Sequence, residues 1–489
     1  MDALPPALDP RLRARALAGA AWVREQHQAG RRILVVHHLD ADGVTAGAIA
    51  AEALARANVL HATQVVRSLD DVHVRLVHDA APTALWFCDL GSTAYMHFPQ
   101  PKLVCDHHQL VRDGHEESFP HVNPLLDGIP GETISGAGCA FLVAAAMDAA
   151  NADLVVPALV GAAGDRQDRP FEGTNQLLVR LAVGRGLADA AMDLSFFGPE
   201  TRPLRQFLAR GDVRVPGVAG DPRGAEALLL ELGLPADTTW SALSPDERLR
   251  VRSALATRLL DCGLAAEVPG LWREVVRLAR EPPGPTRELQ EFATLLNSTA
   301  RYGRPEVGLA VARGDRAAAY QEALALLVDH RKHLVGSLGH LAAAGVRDGV
   351  ALQWVDVEDR VRDTVLGIVC GMALGGDMGL RQDRPIVGFA WTPDGRTKVS
   401  TRLPALAEAR FDLAPAVRAA AEAVGGQGGG HRGAAGATIG RGDRDRFLAE
   451  LDRLLAAQVG LALPAPAPTP AAPAQMLVRS SGAQTRFAL

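Results

Sequence analysis

The chain alternates between short, continuous apolar runs and longer stretches of small and polar residues with helical spacing. Residues 11–29 have the spacing of a helix, and Gly30 closes it ahead of Ile33-Leu34-Val35-Val36. Comparable runs follow at Leu85-Trp86-Phe87-Cys88 and Leu103-Val104-Cys105, separated by alanine-rich helical stretches, notably 44–56 and 138–150. Short apolar runs without alternation are strands covered on both faces, so this part predicts a parallel sheet between helices. From about 195 to 345 helical patterns dominate, interrupted by Pro/Gly clusters at 215–222 and 282–285. Strand-like runs return at 350–354 and 385–390 around an apolar helix over 364–374, and a last helix covers about 442–458. The expected fold class is α/β: a parallel-sheet domain over 1–195, a helical connector or insertion over 196–345, and a smaller α/β domain over 346–460. A Pro/Ala linker and tail follow over 461–489. No internal repeat is visible.

Composition narrows this picture only slightly. A length of 489 residues suits two or three domains, and with 48% hydrophobic but only 4% aromatic residues the cores must be built from Ala, Val and Leu. The 51 basic and 56 acidic residues leave a net charge of −5. That argues against coating duplex DNA through bulk charge but leaves room for a local basic groove. Nearly all the basic residues are arginine, the lysines being Lys102, Lys332 and Lys398. Arginine suits bidentate phosphate contacts, and a GC-rich coding sequence gives the same bias. Five scattered cysteines without a CxxC pair argue against a disulfide framework or zinc ribbon and fit a reducing compartment. With no signal-peptide pattern and no run of about 18 apolar residues, a cytoplasmic protein without a membrane span is expected.

The ends of the apolar runs carry the chemistry. The first ends in His37-His38-Leu39-Asp40-Ala41-Asp42-Gly43. In an extended segment residues two apart share a side, which would bring His38, Asp40 and Asp42 together. The bland alternative is a capped turn with Asp42 as the N-cap of the next helix. The second run ends in Asp89, the third in Asp106-His107-His108, and a small-residue helix ends in Gly164-Asp165-Arg166-Gln167-Asp168. Taken singly these are caps or surface pairs. Taken together they fall at one edge of one sheet, where open parallel sheets bind their ligands. Asp and His without thiolate favour Mn²⁺ or Mg²⁺ over structural zinc, and clustered carboxylates need cations to offset their repulsion. Two such cations about 3.5–4 Å apart, bridged by a carboxylate, hydrolyse phosphodiesters. Further on, the run Gly428–Gly436 would let backbone N–H groups approach a phosphate. A glycine hinge is the alternative, though a hinge needs neither His431 nor the trailing Ala-Ala-Gly.

The segments HLDADG, FCDLGS, DHH and GAAGD resemble the four successive motifs of the DHH phosphoesterase superfamily. That superfamily includes RecJ exonucleases, small oligonucleotide and cyclic-dinucleotide phosphodiesterases, and family II inorganic pyrophosphatases. The resemblance implies Asp40 as a ligand of one metal and Asp42 of the other, Asp89 as the bridging carboxylate, and His107 and Asp165 as further ligands of the second. His38 is a further candidate ligand where bacterial RecJ has an Asp, a form more similar to archaeal RecJ-like proteins. Asp106 and His108 are implied as catalytic groups behind or beside the ligands, with His108 stabilising charge on the phosphate. Gly428, Gly429, Gly430 and His431 resemble the GGGH signature of the accompanying C-terminal substrate-binding domain. Ser400 and Arg402 resemble its Ser-x-Arg element, and Leu366–Val369 its first helix. The alternative for Arg402 is an ordinary exposed strand residue. The segment Leu296–Pro305 resembles an Asn-Ala-x-Gly-Arg stretch of RecJ-like proteins, departing from it at Thr299 and Ala300. The resemblance spans 30–170 and 290–440 and leaves 195–285 and the tail unexplained.

What the resemblance implies is a phosphodiesterase using two divalent metal ions, Mn²⁺ preferred or Mg²⁺. It would act as an exonuclease on single-stranded DNA or RNA in replication or repair and dock on the GINS component of a replicative helicase. The alternatives are an oligoribonuclease or cyclic-dinucleotide phosphodiesterase, and a replisome scaffold that binds GINS without catalysis. The tail, ending Gln484–Leu489, has the form of a tethered peptide for a sliding clamp, or of a disordered segment.

Overall fold

The computed structural model describes residues 4–211, 213–375 and 378–461. Apart from Leu461, the expected Pro/Ala linker and tail lie outside the described residues. Two compact units divide the chain, Met1–Gly336 and Ser337–Leu489.

The first unit opens with α1 (Pro10–Gln28), capped by Asp9, and continues through β1 (Ile33–His38), α2 (Ala41–Arg56), β2 (His61–Val66), α3 (Asp71–Asp79), β3 (Ala84–Cys88), β4 (Lys102–Cys105) and β5 (His121–Val122). The strands form one parallel sheet in the order β2-β1-β3-β4-β5. The chain leaves β1 toward β2 on one side and returns as β3 on the other, so the sheet reverses direction between β1 and β3. The carboxyl ends at such a reversal form a crevice. Helices α4 (Gly136–Met147) and α5 (Val155–Gly164) pack with α2 beside it. Their sequences are rich in Ala, Gly and Val, which lets three helices pack closely. α6 (Gly173–Gly184) follows.

The segment expected as a helical connector has a more specific construction. A two-stranded antiparallel ribbon, β6 (Ala188–Leu194) and β7 (Trp272–Leu278), brackets it. Between them α7 (Leu204–Ala209), α8 (Pro222–Glu231) and α9 (Pro245–Asp261) enclose their own core around Phe196, Phe207 and Trp240. α9 starts with a full capping box, in which Ser244 and Glu247 satisfy each other's backbone N–H. After β7, α10 (Leu289–Arg301), α11 (Pro305–Ala312) and the first part of α12 (Ala318–Ala344) return to the main core, burying Phe292, Leu295, Val311 and Leu327 there. The stretch 196–345 is thus one small domain plus three helices, two of which belong wholly to the sheet domain's core.

The second unit holds a six-stranded mixed sheet, β8 (Arg347–Asp348), β9 (Gln353–Glu358), β10 (Ile386–Trp391), β11 (Thr397–Arg402), β12 (Gln427–His431) and β13 (Ala434–Ile439), in the order β12-β13-β11-β10-β9-β8. α13 (Leu366–Gly375) lies on one face, and α14 (Leu413–Glu422) and α15 (Arg444–Gln458) on the other, over Phe389, Val399 and Ala437. No helix of the described residues is long and apolar enough to cross a membrane.

Candidate metal centre

The carboxyl ends of β1, β3 and β4 meet the C-terminus of α5 in the first unit. The extended reading of His38, Asp40 and Asp42 needs correction, because the helix begins at once. Asp40 is the N-cap of α2, its carboxylate accepting from the Gly43 N–H at 3.0 Å, and Asp42 lies in the first turn. Helical rotation therefore sends Asp42 away from Asp40. The side chains form three overlapping groups: His38, Asp40 and Asp89; Asp42, Asp89, His107 and Asp165; and Asp89, His107 and His108. Asp89 belongs to all of them. It follows β3 with a left-handed backbone (φ +62°), which turns its carboxylate between the groups.

Asp42 and His107 are each aimed by partners behind them. The buried Asp42 carboxylate accepts from the Gly136 and Ala137 N–H groups at 2.7 and 2.9 Å, the open N-terminus of α4. His107 Nδ1 lies 3.0 Å from the Gly131 carbonyl, leaving Nε2 turned inward. Asp165 caps the C-terminus of α5, where Arg166 takes a left-handed conformation (φ +60°) to end the helix. A carboxylate there opposes the helix dipole and calls for a nearby positive charge. Asn297 of α10 accepts from the Ala41 N–H at 2.9 Å, fixing the start of α2.

The atoms at the middle lack hydrogen-bond partners. Both Asp89 oxygens, His107 Nε2 and His38 Nδ1 are buried without one. His107 Nε2 lies 3.1 Å from Asp165, 3.5 Å from Asp89 and 3.8 Å from Asp42; His38 Nδ1 lies 3.0 Å from Asp40 and 3.4 Å from Asp89. Neighbouring ligands of one octahedral cation at 2.0–2.1 Å stand about 3 Å apart, and opposite ones about 4 Å. The donor set therefore fits cations. Electrostatics agree. Burial, with the charges of Asp89 and Asp165, raises the Asp42 carboxyl well above its usual range. Burial also opposes charge on His38 and His107, but the surrounding carboxylates outweigh it and hold both rings well above the usual imidazole value. Divalent ions would take over the compensation that these rings supply.

Asp106 sits behind the centre. It is buried and accepts from the His107 and His108 N–H groups, from His108 Nδ1 at 2.9 Å and from the Ser92 N–H at 3.1 Å. Burial disfavours charge on His108, but Asp106 and Asp89 lift it to about 8. The His108 side chain is 42% exposed, which marks the open side of the centre.

The second unit gathers its own candidates. Gly388, Ser400, Gly436 and Gly429 form one row across β10, β11, β13 and β12, and Ile386, Arg402, Ala434 and His431 the next. Ser400, Arg402, Gly429 and His431 thus share one face, while Gly428 and Gly430 point to the other. The glycine run is an edge strand. At Gly367, near the start of α13, a Cβ would overlap the Arg402 guanidinium and lie 2.8 Å from Ser400 Oγ, so a side chain there would displace the guanidinium.

Two family domains match the chain, a DHHA1 domain over residues 348–457 and a DHH-CID domain over 196–269. RecJ of Thermus thermophilus in complex with Mn²⁺ superposes with a TM-score of 0.57 at 21% identity, covering 93% of this chain and 56% of that one. The fold is RecJ-like. The same Thermus protein with Mg²⁺ gives 0.52, and CDC45 from Entamoeba histolytica gives 0.63 at 10% identity over 89% of this chain and 99% of that one. The chain spans just over half the length of the Thermus RecJ chain. Among curated proteins, the uncharacterized MJ0831 of Methanocaldococcus jannaschii is 22% identical over 436 residues, 87% of this chain and 94% of its own. The segment with its own core between β6 and β7, unexplained by motif, is the DHH-CID match. The DHHA1 match covers every second-unit candidate. Sequence reasoning missed the Gly136 and Ala137 N–H groups, the Gly131 carbonyl, Gln167 and the role of Asn297. The capped start Ser135-Gly136-Ala137-Gly138 was the available signal for the first pair.

Proposed function

We propose that this chain is a two-metal phosphodiesterase that removes nucleotides from single-stranded DNA or RNA in replication or repair. The observation that carries the reading is Asp89, a buried carboxylate with both oxygens lacking a hydrogen-bond partner and shared by every ligand group of the cluster. His38, Asp40 and Asp89 would hold one cation, and Asp42, Asp89, His107 and Asp165 the other. When bound, Mn²⁺ or Mg²⁺ supplies Lewis acidity and an activated water at neutral pH. The chain supplies the rest. Asp106 fixes the His108 ring, which sets a positive charge beside the cluster for the phosphate and the leaving oxygen. Ser400, Arg402, Gly429 and His431 would hold substrate phosphate or base on the DHHA1 sheet, with Gly428 and Gly430 shaping that strand.

A second reading draws on the TM-score of 0.63 with CDC45 and on the DHH-CID match: a replisome scaffold, with GINS as the partner. The intact ligand set favours catalysis. Clamp docking through the tail stays a proposal outside the described residues. The test compares end-labelled single-stranded DNA, single-stranded RNA, a dinucleotide and a cyclic dinucleotide with Mn²⁺. Polymer digestion is expected, falling about 10³-fold or more in Asp89→Ala with the fold intact. Equal or better turnover of the dinucleotides overturns the polymer reading. Undiminished activity in the variant sinks the metal assignment, and a wild type inert on every substrate supports the scaffold.

A further inference from the structure

The turn after α5 reaches His107 twice, once with Asp165 and once with Gln167. Gln167 Nε2 lies 3.2 Å from the Gly131 carbonyl and 3.2 Å from His107 Nδ1. Its own Oε1 accepts from Asn175 Nδ2 at 2.6 Å. The next residue is also anchored: Asp168, buried, accepts from Gln290 Nε2 at 2.6 Å and pairs with Arg273 of β7 at 3.2 Å. Gln167 is therefore held from both sides, by α6 and by its neighbour.

A histidine that binds a cation through Nε2 must carry its proton on Nδ1 and donate it to a fixed acceptor. The acceptor here is the Gly131 carbonyl, which has two lone pairs. With His107 Nδ1–H on one, Gln167 occupies the other. With the proton on Nε2, the bare Nδ1 accepts from Gln167 instead. Gly131 itself cannot be replaced, since a Cβ there would meet the His107 carbonyl at 2.6 Å.

We propose that Gln167 is a positioning residue for His107: through the Gly131 carbonyl it holds the ring in the orientation that leaves Nε2 for the metal shared with Asp42, Asp89 and Asp165. The inference rests on the two-metal reading and is confined to one of the two sites. Removing Gln167 should weaken the His107 site and leave the His38–Asp40 site intact. Partners behind a ligating histidine set metal affinity by about 10–100-fold.

The experiment titrates full-length protein with Mn²⁺ alone, by calorimetry and by electron paramagnetic resonance. Wild type should bind two ions and show the coupled spectrum of a carboxylate-bridged pair. In Gln167→Leu one site should weaken about 10-fold or more, so that at limiting Mn²⁺ the signal of a single uncoupled ion replaces the coupled one. Asn175→Ala, which releases Gln167 without touching the turn, should shift the same site in the same direction by less, and it serves if Gln167→Leu does not fold. Wild-type affinity at both sites in both variants overturns the proposal, as does equal weakening of both sites, the mark of a general structural effect. A wild type that binds no Mn²⁺ overturns the metal reading itself. The two failures are thus distinct.

Discussion

Gly161 decides how near α5 can come to Asp42. A Cβ there would overlap Asp42 Oδ1 and lie 2.6 Å from both Ala137 Cβ and Thr45 Oγ1, so α2, α4 and α5 would have to separate. The Asp42 carboxylate would then pull away from the Gly136 and Ala137 N–H groups. Gly161→Ala should destabilise the first unit by about 1–3 kcal/mol, read from the denaturation midpoint, and lower Mn²⁺ affinity as well. Unchanged stability would mean that the helices have slack the packing does not show. At this scale the sequence is informative where function depends on a side chain's chemistry: His38, Asp40, Asp42, Asp89, Asp106, His107, His108 and Asp165 stand out as acids and imidazoles at the ends of elements. It is silent where function depends on a backbone group. The Gly131 carbonyl and the α4 N–H groups have no letter of their own, and Gln167 and Asn297 acquire meaning only from contacts 60 and 256 residues away.

Among elements, those that read clearly from the pattern are buried on both faces. β1, β3 and β4 are continuous apolar runs because helices or loops cover both sides of the sheet there. β2 is only half covered and reads His-Ala-Thr-Gln-Val-Val, and β6, Ala-Asp-Ala-Ala-Met-Asp-Leu, lacks β-branched residues altogether, so both pass for something else. The ribbon β6–β7 matters because it feeds a buried polar network into α10. Arg273 of β7 pairs with Asp168 and with Glu288, the N-cap of α10. One turn on, Glu291 is buried, accepts from the Glu200 N–H at 2.8 Å and from the Thr201 hydroxyl, and feels Glu288, Glu200 and Arg331 nearby. Burial, then repulsion from Glu288, pushes its carboxyl up to about 7. For an acid raised above its unfolded value, the folded state binds the extra proton. The contribution is fully present below the unfolded value of 4.5 and is lost as pH rises through about 7. Glu291→Gln should therefore gain stability relative to wild type between pH 5 and pH 8, by up to about 3 kcal/mol. Thermal melts of both proteins across that range give the answer, and a difference that stays flat or falls with pH would refute it.

For the whole molecule, a division of labour between the two units would set what each mutation can change. Net charge is −5, so affinity for a polyanion must come from local groups rather than from the overall field. The DHHA1 sheet would supply such groups in Arg402, Ser400 and His431, and the cations would supply them in the first unit. If the second unit binds substrate and the first does the chemistry, their defects should separate. Arg402→Ala removes one charge-assisted contact and should raise KM about 10-fold, with kcat and both Mn²⁺ affinities unchanged. His108→Ala should do the reverse, lowering kcat about 10²-fold or more with little change in KM. The pair is measured best on one single-stranded substrate at two salt concentrations, because a lost phosphate contact also flattens the salt dependence of binding by about one unit of slope. A kcat loss in Arg402→Ala as large as that in His108→Ala would show that the second unit takes part in the chemical step. The separation of binding from catalysis would then have to be abandoned, although the metal assignment would stand.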